Sequence, residues 1–190
     1  MLTQAIAQQS PELMQNAARR DVFIRLMEQY EPALRRLASA YAAQQADRED
    51  LFQDIAVGLW QAIPSFRGDA SERTWLYRIA HNVAITSSTR QRTRGRKEEP
   101  MPEAFDAPSA AISSEQEVLL AEKRALLLDG IRGLSALDRQ IALLHLEGLN
   151  HAQIEEISGM SQSAIASRLS RLRDKLKDII LKSGRASHAQ

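Results

Sequence analysis

Three groups of polar side chains in this chain stand at spacings that could do chemistry. The first is Glu49, Asp50, Gln53 and Asp54, with Asp50, Gln53 and Asp54 three and four residues apart. On a helix such residues share one face. Carboxylates with one amide accept charge-assisted hydrogen bonds from Arg side chains, so this face fits a basic protein surface. The second group is Arg78, Asn82, Thr86 and Thr89, again at helical spacing, running into Arg90, Arg92, Arg94, Arg96 and Lys97 with no acid among them. A basic block beside an amide and hydroxyls suits a nucleic-acid backbone with some base reading. The third group lies near the C-terminus. Arg168, Arg171, Arg173, Lys175 and Lys177 stand against a single Asp174, with Gln162 and Ser163 a turn or two earlier. Arg and Lys neutralise phosphates there, and Gln and Ser can reach base edges in a major groove. Acid on one surface and base on others points to two polymeric partners of opposite charge.

Helices must position these groups. Leu51, Phe52, Ile55, Leu59, Trp60 and Ile63 recur at one-, three- and four-residue steps and form the buried stripe of a helix whose outer face carries the acids. A polar loop, Arg67 to Arg73, comes next. The helix after it is opened by Trp75 and turns Trp75, Leu76, Ile79, Ala80 and Val83 to the core; Trp75 reads as a core anchor rather than a base-stacker. Upstream, Val22, Phe23, Leu26, Met27, Tyr30, Leu34, Leu37, Ala38 and Tyr41 form another stripe. Ser10-Pro11 reads as a helix start, and Pro32 is expected to kink or divide the helix that carries this stripe.

After Lys97 the composition changes. Residues 98–117 hold Pro100, Pro102, Pro108, six acids and no base. Such a stretch cannot bury enough apolar surface to fold and reads as a flexible linker over about 98–114. It separates a first domain, 1–97, from a second, 115–190. The second opens with a helix to about Leu134, carrying Val118, Leu119, Glu122, Ala125, Leu126 and Ile131 in its frame. Ser135 with Asp138 resembles a capping box for a helix ending at Gly148. Asn150 with Gln153 caps a short third helix, Ser158-Gly159-Met160 turns, and Ser161 caps a last helix with Ile165, Leu169, Leu172, Leu176 and Ile179 inward. Short helix, Gly-containing turn, longer helix is a helix-turn-helix layout, here over 151–170.

Composition sets outer bounds. The chain has 190 residues, a formal net charge of +1, 5% aromatics and no Cys. Ala, Leu, Gln, Glu and Arg dominate over β-branched and aromatic runs, which favours an all-α fold. A net charge of +1 means that any nucleic-acid site comes from local segregation of charge. Without Cys there are no disulfides or thiolate metal sites. The N-terminus lacks the pattern of a secretory signal, and no apolar run approaches the ~20 residues of a membrane span. A cytoplasmic protein without membrane insertion is expected. His81, His145, His151 and His188 are scattered, and neither a metal-ligand cluster nor a nucleophile-base set nor a phosphate-cradling loop is visible. No catalysis, metal or cofactor is expected.

The run D-x-x-Q-D at 50–54, then Trp60, then F-R-G-D at 66–69, then T-W-L-Y-R-I-A-H-N at 74–82 resembles the core domain of bacterial RNA polymerase sigma factors of the extracytoplasmic-function kind. The second half carries G-L-x-x-x-x-I at 148–154 and S-x-x-x-I-x-S-R-L-x-R-L-R at 161–173, which resemble the same family's C-terminal domain. The resemblance runs over about 23–97 and 125–181. It implies that Glu49, Asp50, Gln53 and Asp54 meet the clamp helices of the beta-prime subunit of core RNA polymerase. It implies that Arg78, Asn82, Thr86, Arg90, Arg92 and Arg94 engage the minus-ten promoter element, with the loop at about 66–74 capturing a flipped base. In the second domain Gln162, Ser163, Ala166, Ser167 and Ser170 would face the bases of the minus-thirty-five element, and Arg168, Arg171 and Arg173 bases or phosphates. The domain's upper helices would hold the beta flap, the linker would thread through the polymerase, and an anti-sigma factor is the implied regulator.

This sequence departs from that pattern at three places. Thr86 stands where close relatives can carry a second Asn. Ala166 stands where relatives usually carry Lys or Arg. Glu155 stands where a small residue usually lets the two helices of the helix-turn-helix approach, so it must swing outward or push them apart. The expected architecture is two small all-α domains joined by an acidic, Pro-containing linker, with a C-terminal helix-turn-helix. The expected function is a sigma factor. Its rivals are a helix-turn-helix regulator acting without polymerase and a protein-binding adaptor.

Overall fold

The structure is a computed structural model that describes residues 2–93 and 115–187, with side chains over 15–90, at Leu120 and over 123–178. Seven helices appear among the described residues: α1 (Leu2–Tyr41), α2 (Gln45–Ala62), α3 (Glu72–Thr93), α4 (Glu115–Arg132), α5 (Ala136–Leu146), α6 (His151–Ser158) and α7 (Gln162–Ser187), with a single 3-10 turn, Ile63–Ser65, after α2. The expected linker, 98–114, lies outside the described residues, as do Arg94, Arg96 and Lys97.

Neither Ser10-Pro11 nor Pro32 interrupts α1, contrary to the sequence expectation. A proline inside a helix forfeits one backbone bond and crowds the turn before it. Ala33, Leu34, Leu37 and Ala38, immediately after Pro32, are buried, and α1 packs on both α2 and α3. Tertiary packing of that apolar stripe outweighs the local penalty.

The α2 stripe falls where its spacing places it. Leu51, Ile55 and Leu59 are buried, and Phe52 and Ile63 pack at the margin. Trp60 stands edge-on to Phe23 at 5.5 Å and carries the Arg19 guanidinium over its ring. Gly58 lets α2 and α3 come close: a Cβ there would sit 3.0 Å from Val83 Cγ2. On α3 the expected Leu76 and Ala80 are buried, but so are Tyr77, His81 and Ala84, which the apolar spacing did not mark.

In the second half the caps of α5 and α6 form as their spacing implies, whereas the Ser161 hydroxyl before α7 pairs with that of Ser163. Ser135 accepts from the Asp138 backbone N–H at 3.2 Å and donates to its carboxylate at 2.8 Å. Asn150 and Gln153 make both bonds of a capping box, and Gly148 and Gly159 take the left-handed φ that helix ends require. On α4 the expected Ile131 is buried, and Leu127 and Leu128, which were not in the expected frame, pack against the core; the side chains of Val118, Leu119 and Glu122 lie outside those described.

The two halves pack on each other. Ile141, Leu144, Leu149 and Ile154 of the second half join one buried cluster with Leu34, Leu76 and Ala80 of the first. Polar contacts ring this seam. Glu147 accepts from Arg36 through both oxygens, at 2.9 and 2.8 Å, and from the Tyr77 hydroxyl at 3.0 Å. The Glu147 carbonyl accepts from Arg73. Arg132 donates to the Ser39 carbonyl at 3.0 Å, and Arg139 lies over the Tyr41 ring. Tyr77 is buried because this face of α3 is covered by the second half.

His81 is the deepest titratable group of the seam region. Its Nδ1 lies 3.1 Å from the Tyr41 hydroxyl, and burial pushes its pKa down to about 3. In the unfolded chain an imidazole titrates near 6.5. Below pH 6.5 the unfolded chain therefore takes up a proton that the folded chain refuses. The stability is full above pH 6.5 and falls by about 1.4 kcal/mol per pH unit on the way down toward 3. A His81→Gln variant is expected to show a shallower loss of urea midpoint between pH 7 and pH 5 than the parent. Equal slopes in the two proteins would contradict a buried neutral imidazole.

Candidate nucleic-acid interface

The acid face of α2 is in part already engaged. Glu49 is half-buried and takes the Arg35 guanidinium at 3.1 Å, which also pairs with Glu31 at 2.7 Å and lies over Phe52. Asp50, Gln53 and Asp54 are exposed. Asp54 also borders a shallow groove of about 410 Å³ between α2 and α3, whose far wall holds Asn82, Thr86, Ser87 and Arg90. One acid of that face, Asp54, thus shares a groove with the amide-hydroxyl row. Gln61 and Ser87 line it too, and no motif in the sequence singled out either.

Along α3 the polar row divides into three environments. Asn82 is exposed. Thr86 is exposed and donates its hydroxyl proton to the Asn82 carbonyl at 2.8 Å, which leaves its oxygen free to accept. Arg78 is half-buried and ion-paired with Glu156 of α6 across the seam, with its Nε buried and without an acceptor. Arg90 is exposed at the end of the described side chains; the side chain of Arg92, and Arg94 with its neighbours, lie outside them. The loop before α3 is anchored at both ends. Phe66 packs on Trp75 with ring centres 4.8 Å apart, and Ser71 accepts from the Thr74 N–H at 3.1 Å. Arg67, Gly68 and Asp69 between them are exposed, with Gly68 at φ 80°. The Arg25 guanidinium bonded to Glu72 at the start of α3 holds that carboxyl below the usual carboxylate range. Trp75 is half-buried against the core.

The helix-turn-helix is built on Ile154 and Ile165, both fully buried, and on the left-handed Gly159 between their helices. Glu155 does not push α6 and α7 apart. It leans outward and accepts from the Gln162 amide at 2.8 Å. Gln162, Ser163, Ala166, Ser167, Ser170, Arg171 and Arg173 form the exposed face of α7. Arg168 turns away from that row and bonds the Asp138 carboxylate of α5 at 2.6 Å. Burial pushes the Asp138 carboxyl up, but the bonds from Arg168 and Ser135 outweigh it and hold the group below its ordinary value. The helix ends, the exposed hydroxyls and the cations of α7 could together follow a duplex groove.

Known proteins share this arrangement. The Sigma-70 region 2 family model matches residues 26–94, and the Sigma-70, region 4 model matches residues 124–176. The ECF RNA polymerase sigma-E factor of Haemophilus influenzae is 30% identical over 164 residues, 82% of this chain and 85% of that protein. The sigma-E factor of Escherichia coli K12 is 30% identical over 156 residues, 78% of this chain and 81% of that protein. Among solved structures, the sigma factor RpoE in complex with the anti-sigma factor NepR from Bartonella quintana shares the fold, with a TM-score of 0.63 at 24% identity over 83% of this chain and 96% of that one. CnrH in complex with the cytosolic domain of CnrY does so at a TM-score of 0.59 and 20% identity, over 85% and 88% of the two chains.

Proposed function

This chain belongs to the extracytoplasmic-function sigma factors, and on that premise we propose how its surfaces serve core RNA polymerase and promoter DNA. As a sigma factor it directs core polymerase to promoters and supports initiation there. The observation that carries this is the pair of sigma regions in order within one chain, each on its own helical half.

The exposed Asp50, Gln53 and Asp54 take the beta-prime clamp helices, with Glu49 held ready by Arg35. Asn82, Thr86 and the Arg90, Arg92, Arg94 block take the minus-ten element, with Arg78 joining once it is released from Glu156. Flipping a base out of a duplex costs a few kcal/mol of unstacking, and the loop at 66–74, fixed at Phe66 and Ser71, is placed to receive one. The row from Gln162 to Arg173 takes the minus-thirty-five element, with Arg168 positioning α7 from its place on Asp138. The first domain spans 1–97, the linker 98–114 and the second domain 115–190. The chain acts beside polymerase in the cytoplasm without catalysing a reaction; no described helix is long and apolar enough to cross a membrane. One structural neighbour is a sigma factor in complex with an anti-sigma factor, which supports a protein inhibitor of that kind here.

The test is binding to purified core polymerase. Replacing Asp50 and Gln53 together by Ala is expected to weaken that binding at least tenfold, since charge-assisted bonds are about 1.5–3 kcal/mol each. Undiminished binding of the double variant would remove α2 from the polymerase interface.

A further inference from the structure

We propose that Glu155 selects the base read by Gln162, by fixing which end of the Gln162 amide faces the DNA. The inference rests on the reading of α7 as the minus-thirty-five helix. Gln162 is the first residue of α7 and is exposed, and its Nε2 donates to Glu155 Oε2 at 2.8 Å. An ionised carboxylate has acceptors only, so the amide can meet it with its NH2 end and not with its oxygen. Chemistry therefore settles the orientation of this amide. Its Oε1 is turned away as a fixed acceptor, and one of its two N–H bonds is already used.

A free Gln reads adenine through both ends, accepting from N6 and donating to N7. The Glu155-held amide offers chiefly acceptors, from its own Oε1 and from the carboxylate beside it. Cytosine presents an N4 donor in the major groove and adenine an N6 donor, whereas guanine presents only O6 and N7 acceptors there. Guanine at the contacted position would face a second acceptor and a negative charge. A carboxylate at a DNA-facing surface lowers general attraction to phosphate, so its use is exclusion of a wrong base rather than affinity. Its position comes from the fold. Ile154 and Ile165, both fully buried, fill the apolar side of the α6–α7 pair, and Glu155 lies outside it. The short turn through Gly159 then sets it beside the first residue of α7.

The test uses holoenzyme reconstituted from core polymerase and the full chain, offered a pool of promoter duplexes varied one base pair at a time across the minus-thirty-five element. Bound and free fractions are sequenced for the parent, Glu155→Ala, Glu155→Gln and Gln162→Ala. Removing the Glu155 charge is expected to raise the relative occupancy of guanine roughly tenfold at one or two adjacent positions, within the range of a lost base discrimination, with the other positions unchanged. The double variant Glu155→Ala/Gln162→Ala, measured beside Gln162→Ala, should show a smaller rise, because the share carried by the fixed Oε1 is then already gone. A uniform change across all duplexes would reduce Glu155 to general repulsion of phosphate and overturn the proposal. An unchanged profile with a lowered melting temperature would make the pair a structural brace and overturn it equally. If parent holoenzyme prefers no duplex over random DNA, the sigma reading itself fails.

Discussion

Replacing Glu147 with Ala is expected to part the two halves of the molecule. Glu147 receives Arg36 and Tyr77 from the first half while it sits at the end of α5, and its own side chain is only 18% exposed. Arg36 is 60% exposed, so solvent screening holds the ion-pair share to about 1 kcal/mol. The largely buried Tyr77 hydroxyl loses its acceptor as well, at a cost of about 1 kcal/mol. Together they shift the ratio of closed to open molecules roughly thirtyfold. The shift matters because the closed form occupies a residue proposed to meet DNA: Arg78 is paired with Glu156 across the same seam, with its Nε left without an acceptor. A buried unsatisfied donor costs about 1–3 kcal/mol, so the seam carries its own tendency to open. Because the chain has no Cys, cysteines introduced at Ser65 and Asp174 accept a dye pair cleanly. Energy transfer between them is expected to fall in Glu147→Ala and to recover when Arg36→Glu is combined with Glu147→Arg. Transfer unchanged by Glu147→Ala would show that the seam is held by its apolar contacts alone.

Charge reversal of Arg90, Arg92 and Arg94 to Glu should abolish promoter opening while leaving the binding of core polymerase within twofold. Each cation that neutralises a phosphate contributes about 0.7–0.9 to the slope of log affinity against log salt. Loss of three such contacts should flatten that slope by about two to three units and lower promoter occupancy at moderate salt by at least a hundredfold. Of the proposed polymerase-binding residues only Asp54 borders the groove that Arg90 lines, on its opposite wall, so polymerase binding is the internal control. Opening that survived the triple reversal would move the minus-ten contact away from the end of α3.

Much of this was legible in the sequence, and the failures have identifiable causes. Apolar spacing located α2, α3 and α7, and capping residues located the starts of α5 and α6, because both signals are local. Ser135-Asp138 and Asn150-Gln153 bond as their spacing implies. The unbroken α1 was missed because proline is a local penalty and the packing that overrides it is not. Tyr77 and His81 were missed because what buries them comes from distant parts of the chain: Glu147 stands seventy positions from Tyr77, and Tyr41 forty from His81. No periodicity on α3 could announce a third covered face. The same holds for Arg168, which belongs to the cationic run by sequence but reaches Asp138 on α5. Glu155 was visible as a departure from the family pattern; only the fold shows that it resolves outward onto Gln162.

The central claim, that this chain makes core polymerase promoter-specific, is tested most directly by run-off transcription with purified core polymerase, with and without the protein, on genomic fragments of its host. Discrete transcripts that require the protein, and that disappear with the Asp50→Ala/Gln53→Ala pair and with the Arg90, Arg92, Arg94 reversal, are the expected result. Transcripts independent of the protein, or none when it is bound to core on promoters it protects, would contradict it.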